Sequence, residues 1–330
     1  MPFIRKLRAL APWALLAALS HAPLAVAQDY PNRPITIIVP FSAGGGVDVM
    51  ARLLAEKLRD TLKQSIIVEN KPGASGMLGA QFVTKAAPDG YTLLLGSAGE
   101  TAINAYVYKA RMLYQPDRDL APVSLVTRVP NVLVVGPSVK AGDVAGLVAQ
   151  AKAHPGRLTY ATSGVGNPQH LNGALLQSIA GIDMVHVPYK GASGQLADVA
   201  GGSVDMTFVS YAAAKAFIDA GKVRPLAVTS AKRASFAPDI PAIAETPALR
   251  AYSLENWFGL FAPAHTPEAV LDRINQAVRA ALQDPQLAQR LREQGGEPAP
   301  MSVAEFKQFI QHESTQYQAI VTQANISAEN

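Results

Sequence analysis

The stretch that decides the fold is Ile35-Thr36-Ile37-Ile38-Val39-Pro40-Phe41-Ser42-Ala43-Gly44-Gly45-Gly46-Val47-Asp48. It opens with a short run rich in Ile and Val, the composition of a strand buried on both faces. A turn of Ser and Gly follows. Beyond it, Met50, Leu53, Leu54, Leu58 and Leu62 recur at the spacing of one helix face. Strand, glycine turn and helix make the unit of a parallel sheet covered by helices.

The unit recurs along the chain. A second strand over 66–69 leads into Pro72-Gly73-Ala74-Ser75-Gly76, and a third over 91–95 opens into Gly96-Ser97-Ala98-Gly99-Glu100. After a strand at 132–135 and a helix at 143–153, a second set begins. Strand 158–162 enters Ser163-Gly164-Val165-Gly166-Asn167-Pro168, and strand 184–187 enters Pro188-Tyr189-Lys190-Gly191-Ala192-Ser193-Gly194. Strand 205–209 passes through Ser210 to a helix stopped by Gly221. Turn for turn, 42–48 matches 163–170, 73–76 matches 191–194, and 97–101 matches Ser210-Tyr211. The remainder reads as helices, introduced by Thr266-Pro267, Asp284-Pro285 and the capping box Ser302-x-x-Glu305. Ahead of them, the apolar run Trp257-Phe258-Gly259-Leu260-Phe261 reads as a strand returning the chain to its first half. The pattern predicts an α/β protein of two lobes, each an open, mostly parallel sheet flanked by helices. Residues 28–127 and 255–330 make the first lobe and 128–254 the second.

Composition agrees with two domains. At roughly 150 residues per domain, 330 residues imply two. Hydrophobic residues at 49% and charged residues at 16% exclude a disordered chain, which needs the opposite balance. The net charge of +4 is concentrated at the start, where Arg5, Lys6 and Arg8 stand before any acid. With those three set aside, 26 basic face 25 acidic side chains, so no basic surface for nucleic acid is expected.

That basic start precedes an apolar run over 9–19 and the small residues Ala25-Val26-Ala27, the three parts of an export signal cleaved before Gln28. The run is too short to span a bilayer. The absence of cysteine removes disulfides, thiolate metal sites and a lipid-anchored N-terminus. An exported chain with no anchor points to the periplasm of a cell with an outer membrane.

In open α/β sheets, ligands sit beyond the carboxyl ends of the strands. All six turns named above lie there. Each starts a helix, whose first N–H groups are unpaired and whose dipole is positive at that end. Ser42, Ala43, Gly44, Gly45 and Gly46 in one lobe, and Ser163 and Gly166 in the other, therefore read as backbone donors for a carboxylate or phosphate. Ser97 and Ser210 add hydroxyls at matching positions. Asp48 reads as a partner for a ligand amine or as a first-turn helix acid. Lys190, beside Tyr189, counters a second carboxylate or is a solvated loop lysine, and His170, just inside a helix, reads as a ligand contact or, more often, a structural hydrogen bonder. Enzymatic motifs fail: Met77 breaks the nucleophile-elbow spacing after Ser75, Val49 breaks the dinucleotide fingerprint, and no lysine follows a glycine loop as in a P-loop. The histidines show no ligand spacing, so neither metal nor cofactor is expected. A cleft enzyme using Ser163 or Lys190 and a ligand-free adhesion domain are the competing readings.

Several motifs together resemble a known family. Tyr30-Pro31-x-Arg33-Pro34-Ile35 followed by residues 39–48, the run 68–76, Ala87-Pro88-Asp89-Gly90-Tyr91-Thr92-Leu93-Leu94, His186-Val187-Pro188-Tyr189-Lys190-Gly191 and Trp257-Phe258-Gly259-Leu260 are similar to those of Bug-type receptors. These are extracytoplasmic solute-binding components of tripartite tricarboxylate transporters, and the resemblance covers 28–330. It implies a monomeric type II periplasmic binding protein closing on a small carboxylated solute. The 41–48 and 163–170 turns would hold one carboxylate like pincers, partly through ordered water. The closed form would then be read by small and large membrane subunits or by a sensor. Val47 departs from the hydroxyl residue or Pro usual before the Asp, so this position offers no side-chain bond.

Overall fold

The computed structural model describes residues 30–189 and 192–328. The leader and cleavage site fall outside these residues, as does Lys190. The chain builds two sheets. The first set of elements is β1 (Ile35–Val39), α1 (Gly46–Leu62), β2 (Ile66–Asn70), α2 (Met77–Thr84), β3 (Thr92–Ser97), α3 (Asn104–Val107), α4 (Pro116–Asp119) and β4 (Leu120–Val129). The chain then crosses to β5 (Asn131–Val135), α5 (Val144–Ala153), β6 (Leu158–Thr162), α6 (Pro168–Ala180), β7 (Met184–Pro188), α7 (Ala192–Ala200), β8 (Met206–Ser210), α8 (Tyr211–Asp219) and β9 (Arg224–Val228). It returns through β10 (Asn256–Pro263), α9 (Glu268–Leu282), α10 (Pro285–Glu293), β11 (Glu297–Pro298) and α11 (Val303–Gln323).

The two sheets share one plan. The first runs β11-β4-β10-β3-β1-β2 and the second β7-β6-β8-β5-β9. In the first, β1 is parallel to β2 and β3; in the second, β6 is parallel to β7 and β8. Each sheet also contains a long reversed strand at the same place, and the first adds the two-residue β11, antiparallel to β4. β10 lies antiparallel between β3 and β4, and β5 antiparallel between β8 and β9. Both reversed strands follow directly on a crossover between the sheets. β4 itself escapes a reading of local pattern because Pro122 interrupts its run. The sheet accommodates that residue with a register shift where β10 pairs with it, as a proline without an N–H requires.

Hydrophobic periodicity explains the packing. Ile37, Ile38 and Val39 of β1 are fully buried, and Met50, Leu54 and Leu58 turn one face of α1 onto the sheet. Trp257 is core, its indole N–H donating to the Tyr317 hydroxyl at 3.0 Å. Helix α6 belongs to both bodies. Leu176 and Ala180 pack in the second lobe, whereas Leu171 and Ala174 join Val107, Trp257 and Tyr317 of the first.

Candidate functional site

The site is built on turns that leave the carboxyl ends of the strands. In the first lobe, the turn after β1 is exposed from Ser42 to Gly46, with Gly44 at φ +80, a conformation that favours glycine. Gly45 is the N-cap of α1 in an extended conformation. Behind the turn, Asp48 is 2% exposed. Its carboxylate accepts from the Gly44 N–H at 2.9 Å, from Arg52 at 2.9 and 3.0 Å, and from Asn70 Nδ2 at 2.9 Å. Burial alone would raise its pKa, but the bonds from Arg52, Gly44 and Asn70 outweigh this and hold it below the usual carboxylate range. Asp48 is therefore no partner for a ligand amine. It is a strut, and the Gly44 N–H spent on it is not a ligand donor.

The Gly45 N–H leans toward the Ser42 carbonyl at 3.4 Å. What remains free is the first turn of α1: among the described residues, the N–H groups of Gly46, Val47 and Asp48 have no acceptor. They stand at the positive end of a 17-residue helix, and the one negative charge beside them is neutralised by Arg52. An anion can approach.

The neighbouring turns support this one. Asn70 also donates to the Phe41 carbonyl at 3.0 Å, and Asn104 donates to the Ser75 carbonyl at 3.1 Å. Ser97 differs from its expected role, because its hydroxyl points inward and donates to Glu100 Oε2 at 2.6 Å while its N–H bonds Oε1. Glu100 is wholly buried, and burial pushes its pKa up to about 7 against the pull of the Ser97 bonds. Ser97 thus solvates a buried acid and has no hydroxyl hydrogen left for a ligand.

In the second lobe, the turn after β6 is held by its own side chains. The Ser163 N–H donates to Gln169 Oε1 at 2.7 Å, Asn167 Nδ2 donates to Ser163 Oγ at 2.8 Å, and the Gly166 N–H donates to His170 Nδ1 at 3.1 Å. His170 stacks on His186 with centroids 3.8 Å apart, and His186 Nε2 meets the Thr162 hydroxyl at 2.7 Å. Burial, reinforced by His186, lowers the His170 pKa to about 3, and burial lowers that of His186 to about 4. His170 is a neutral acceptor that shapes the turn, not a cation for a solute. Nor does Gly166 face a ligand: a Cβ there would lie 2.4 Å from Val107 Cγ1 of the first lobe. Tyr189 turns its hydroxyl to Asp198 and its N–H to the Thr162 carbonyl. Ser210 begins α8 with its hydroxyl uncommitted to capping.

The two sets of turns meet. The Tyr108 hydroxyl lies 3.1 Å from Ser75 Oγ in the first lobe and 3.5 Å from the Val165 carbonyl in the second. On another flank, a Cβ on Gly295 would lie 3.6 Å from Tyr211 Cβ, and the Ser235 N–H donates to Glu297 at 2.9 Å. Sequence reasoning missed Tyr108, Val107, Glu100 and Gln169, none of which carries a local signature. Arg52 was findable, being four residues after Asp48 on one helix face. Two cavities lie elsewhere: one of about 450 Å³ beside Leu113, and one of about 260 Å³ at the crossovers, lined by Arg128, Glu255 and Glu313.

Paired sheets of one plan, with glycine turns from each brought together, define a two-lobed solute-binding protein. Comparison with known proteins agrees. The family model described as tripartite tricarboxylate transporter family receptor matches residues 50–326. BugT of Bordetella pertussis is 35% identical over 295 residues, covering 89% of this chain and 90% of BugT. An R. palustris protein solved with adipate is 36% identical with a TM-score of 0.81, covering 90% of this chain and 99% of that one. MatC from Rhodopseudomonas palustris, solved with malate, is 30% identical with a TM-score of 0.75, covering 88% of this chain and 100% of MatC. The chain belongs to the tripartite tricarboxylate transporter receptor family. It is a solute-binding receptor and not an enzyme.

Proposed function

We propose that this receptor is exported to the periplasm with cleavage after Ala27 and captures a small carboxylate between its lobes. It delivers that solute to the membrane subunits of a tripartite tricarboxylate-type secondary transporter. The observation that carries the reading is the exposed 42–46 turn. Its Asp48 strut is charge-paired with Arg52, and the N–H groups of Gly46, Val47 and Asp48 are left without acceptors. Backbone donors at a helix start suit a carboxylate. The relatives solved with adipate and malate bind acids of this size. Closure is a hinge motion at the crossovers near residues 127–131 and 253–257.

The test is calorimetry of the mature chain against C4–C6 mono- and dicarboxylates, malate included. At 100 times its dissociation constant, the bound acid should stabilise the fold by about 2.7 kcal/mol and be recovered unchanged. A panel in which no carboxylate binds sinks the reading, and turnover of the bound acid favours an enzyme.

A further inference from the structure

Among the described residues, Glu100 is the one carboxylate with no exposure at all, and no lysine, arginine or histidine pairs with it. It belongs to the π-helical turn Gly99–Ile103 that leaves β3, a rare form found mostly at functional sites. One residue holds both of its oxygens: the Ser97 N–H bonds Oε1, and the Ser97 hydroxyl donates to Oε2 at 2.6 Å. The elements packed around it bring no countercharge. Tyr114 gives its hydroxyl to the Glu100 carbonyl at 2.6 Å. On α4, Asp117 is exposed and Arg118 is paired with Asp119. Tyr106 of α3 bonds Ser314, and Glu313 of α11 is engaged by Tyr317. A buried charge is ordinarily paired or neutralised.

Its place is behind the first lobe's turns. A Cβ on Gly76, in the turn after β2, would lie 3.1 Å from Glu100 Oε2 and 3.1 Å from Phe41 Cζ. Phe41 leads directly into the exposed 42–46 turn, and Asn70 ties the Phe41 carbonyl to Asp48 of α1. Ser97 is the last residue of β3. The acid therefore stands where the turns leaving β1, β2 and β3 converge. Its side chain fits there in either protonation state. Ionised, Oε2 accepts from the Ser97 hydroxyl; protonated, it donates to Ser97 Oγ across the same bond. Burial pushes its pKa up to about 7 against the Ser97 bonds, so both states are populated near neutral pH.

We propose that Glu100 makes solute capture proton-linked: an anion held at the first turn of α1 draws a proton from solvent onto the Glu100 carboxylate, and ionisation of that carboxylate weakens capture by the same factor. This rests on the reading that a carboxylate sits at the start of α1. Two like charges about 10 Å apart, at an effective dielectric of about 20, repel by roughly tenfold in an equilibrium constant. The effect needs no contact between Glu100 and the solute, because the field between them crosses protein and not bulk water.

The experiment is calorimetry of the mature chain with succinate, malate, glutarate, adipate, butyrate and hexanoate. Those that bind are measured in phosphate, HEPES and Tris at pH 6.5, 7.5 and 8.5, where the acids are ionised and a buffer-dependent heat counts protons taken up by the protein. The stacked histidines of the second lobe stay neutral over this range, with pKa values lowered to about 3 and about 4. Wild type should take up about half a proton per solute at pH 7.5 and lose about fivefold or more in affinity from pH 6.5 to 8.5. Glu100→Gln, a neutral copy of the protonated acid, should take up none and keep one affinity throughout, within about twofold of wild type at pH 6.5. Ser97→Ala removes the hydroxyl bond that favours the ionised form and should move the fall in affinity to higher pH, which carries the assignment if Glu100→Gln does not fold. Proton uptake that persists in Glu100→Gln, a fall that Ser97→Ala leaves in place, or wild-type binding without uptake each overturns the inference and leaves carboxylate capture standing. Binding of none of the six acids overturns both.

Discussion

The two lobes repeat one topology and yet prepare their leading turns in opposite ways. After β1, a charge pair stands behind the turn: Asp48 gathers the Gly44 N–H, Arg52 and Asn70, and the helix's first amides stay free. After β6, neutral side chains reach into the turn itself, and Gln169 and His170 take the Ser163 and Gly166 amides. The first lobe thus offers donors, whereas the second is braced and meets its partner through Val107 and Tyr108. A Gly-rich turn at a strand end is a place where donors can be free. The acceptors in the next few residues decide whether they are.

The largest break should come from Asp48→Ala. It unpairs the Gly44 N–H and one hydrogen of the Asn70 amide, whose bond to the Phe41 carbonyl stays, and removes a buried carboxylate strut, costing about 2–3 kcal/mol in urea unfolding and abolishing carboxylate binding. Next is Gly166→Ala, which forces a methyl group at φ +73 against Val107 Cγ1, 2.4 Å away. A loss of about 1–3 kcal/mol is expected, and an unchanged unfolding midpoint would show that this contact between the lobes is loose. Gly46→Pro sharpens the comparison differently. Proline is welcome at the first position of a helix, and Gly45 before it is already extended at φ −76 and ψ 166. Stability should hold while carboxylate affinity falls about tenfold, the share of one strong donor. In the second lobe, Asn167→Ala removes the cap on the His170 N–H and should cost about 1 kcal/mol.

pH separates the lobes most gently. Glu100 has a raised folded pKa of about 7, so its contribution is complete below about 4.5 and lost as pH rises through 7. His170 and His186, lowered to about 3 and about 4, contribute in the other direction: fully above about 6.5, and less as pH falls toward 4. Glu100→Gln should flatten the first slope and His170→Gln the second, read as unfolding midpoints across pH 4–8. An identical profile in either variant would show that the group is not the source of its slope.

Much of this was legible in the letters. Strands such as 35–39, the helix face of Met50, Leu54 and Leu58, and the glycine turns are local signals, and periodicity carries them. The reversed strands were not, because nothing in Asn131–Val135 or Asn256–Pro263 states which neighbour lies beside it. At the site, the turn after β1 was read as offering backbone donors from Ser42 to Gly46, and its unpaired amides begin at Gly46 rather than Gly44. Ser97 was read as adding a hydroxyl to the site and instead bonds Glu100, while Asp48 and His170, each also read as structural, bond inward. Of their partners, Asn70 arrives from the next strand, while Glu100 and Gly166 stand within four residues of Ser97 and His170 but pair only because of how each turn folds.

The reversed strands bear on how the molecule is made. The second sheet is a single unbroken stretch of chain, from Asn131 to Val228, so a ribosome releases every piece of it in one pass. The first sheet must wait for β10 to wedge between β3 and β4. The sheet begun earliest is thus the last to be completed, and the Gly-rich turn it carries after β1 gains its full setting only once nearly the whole polypeptide exists.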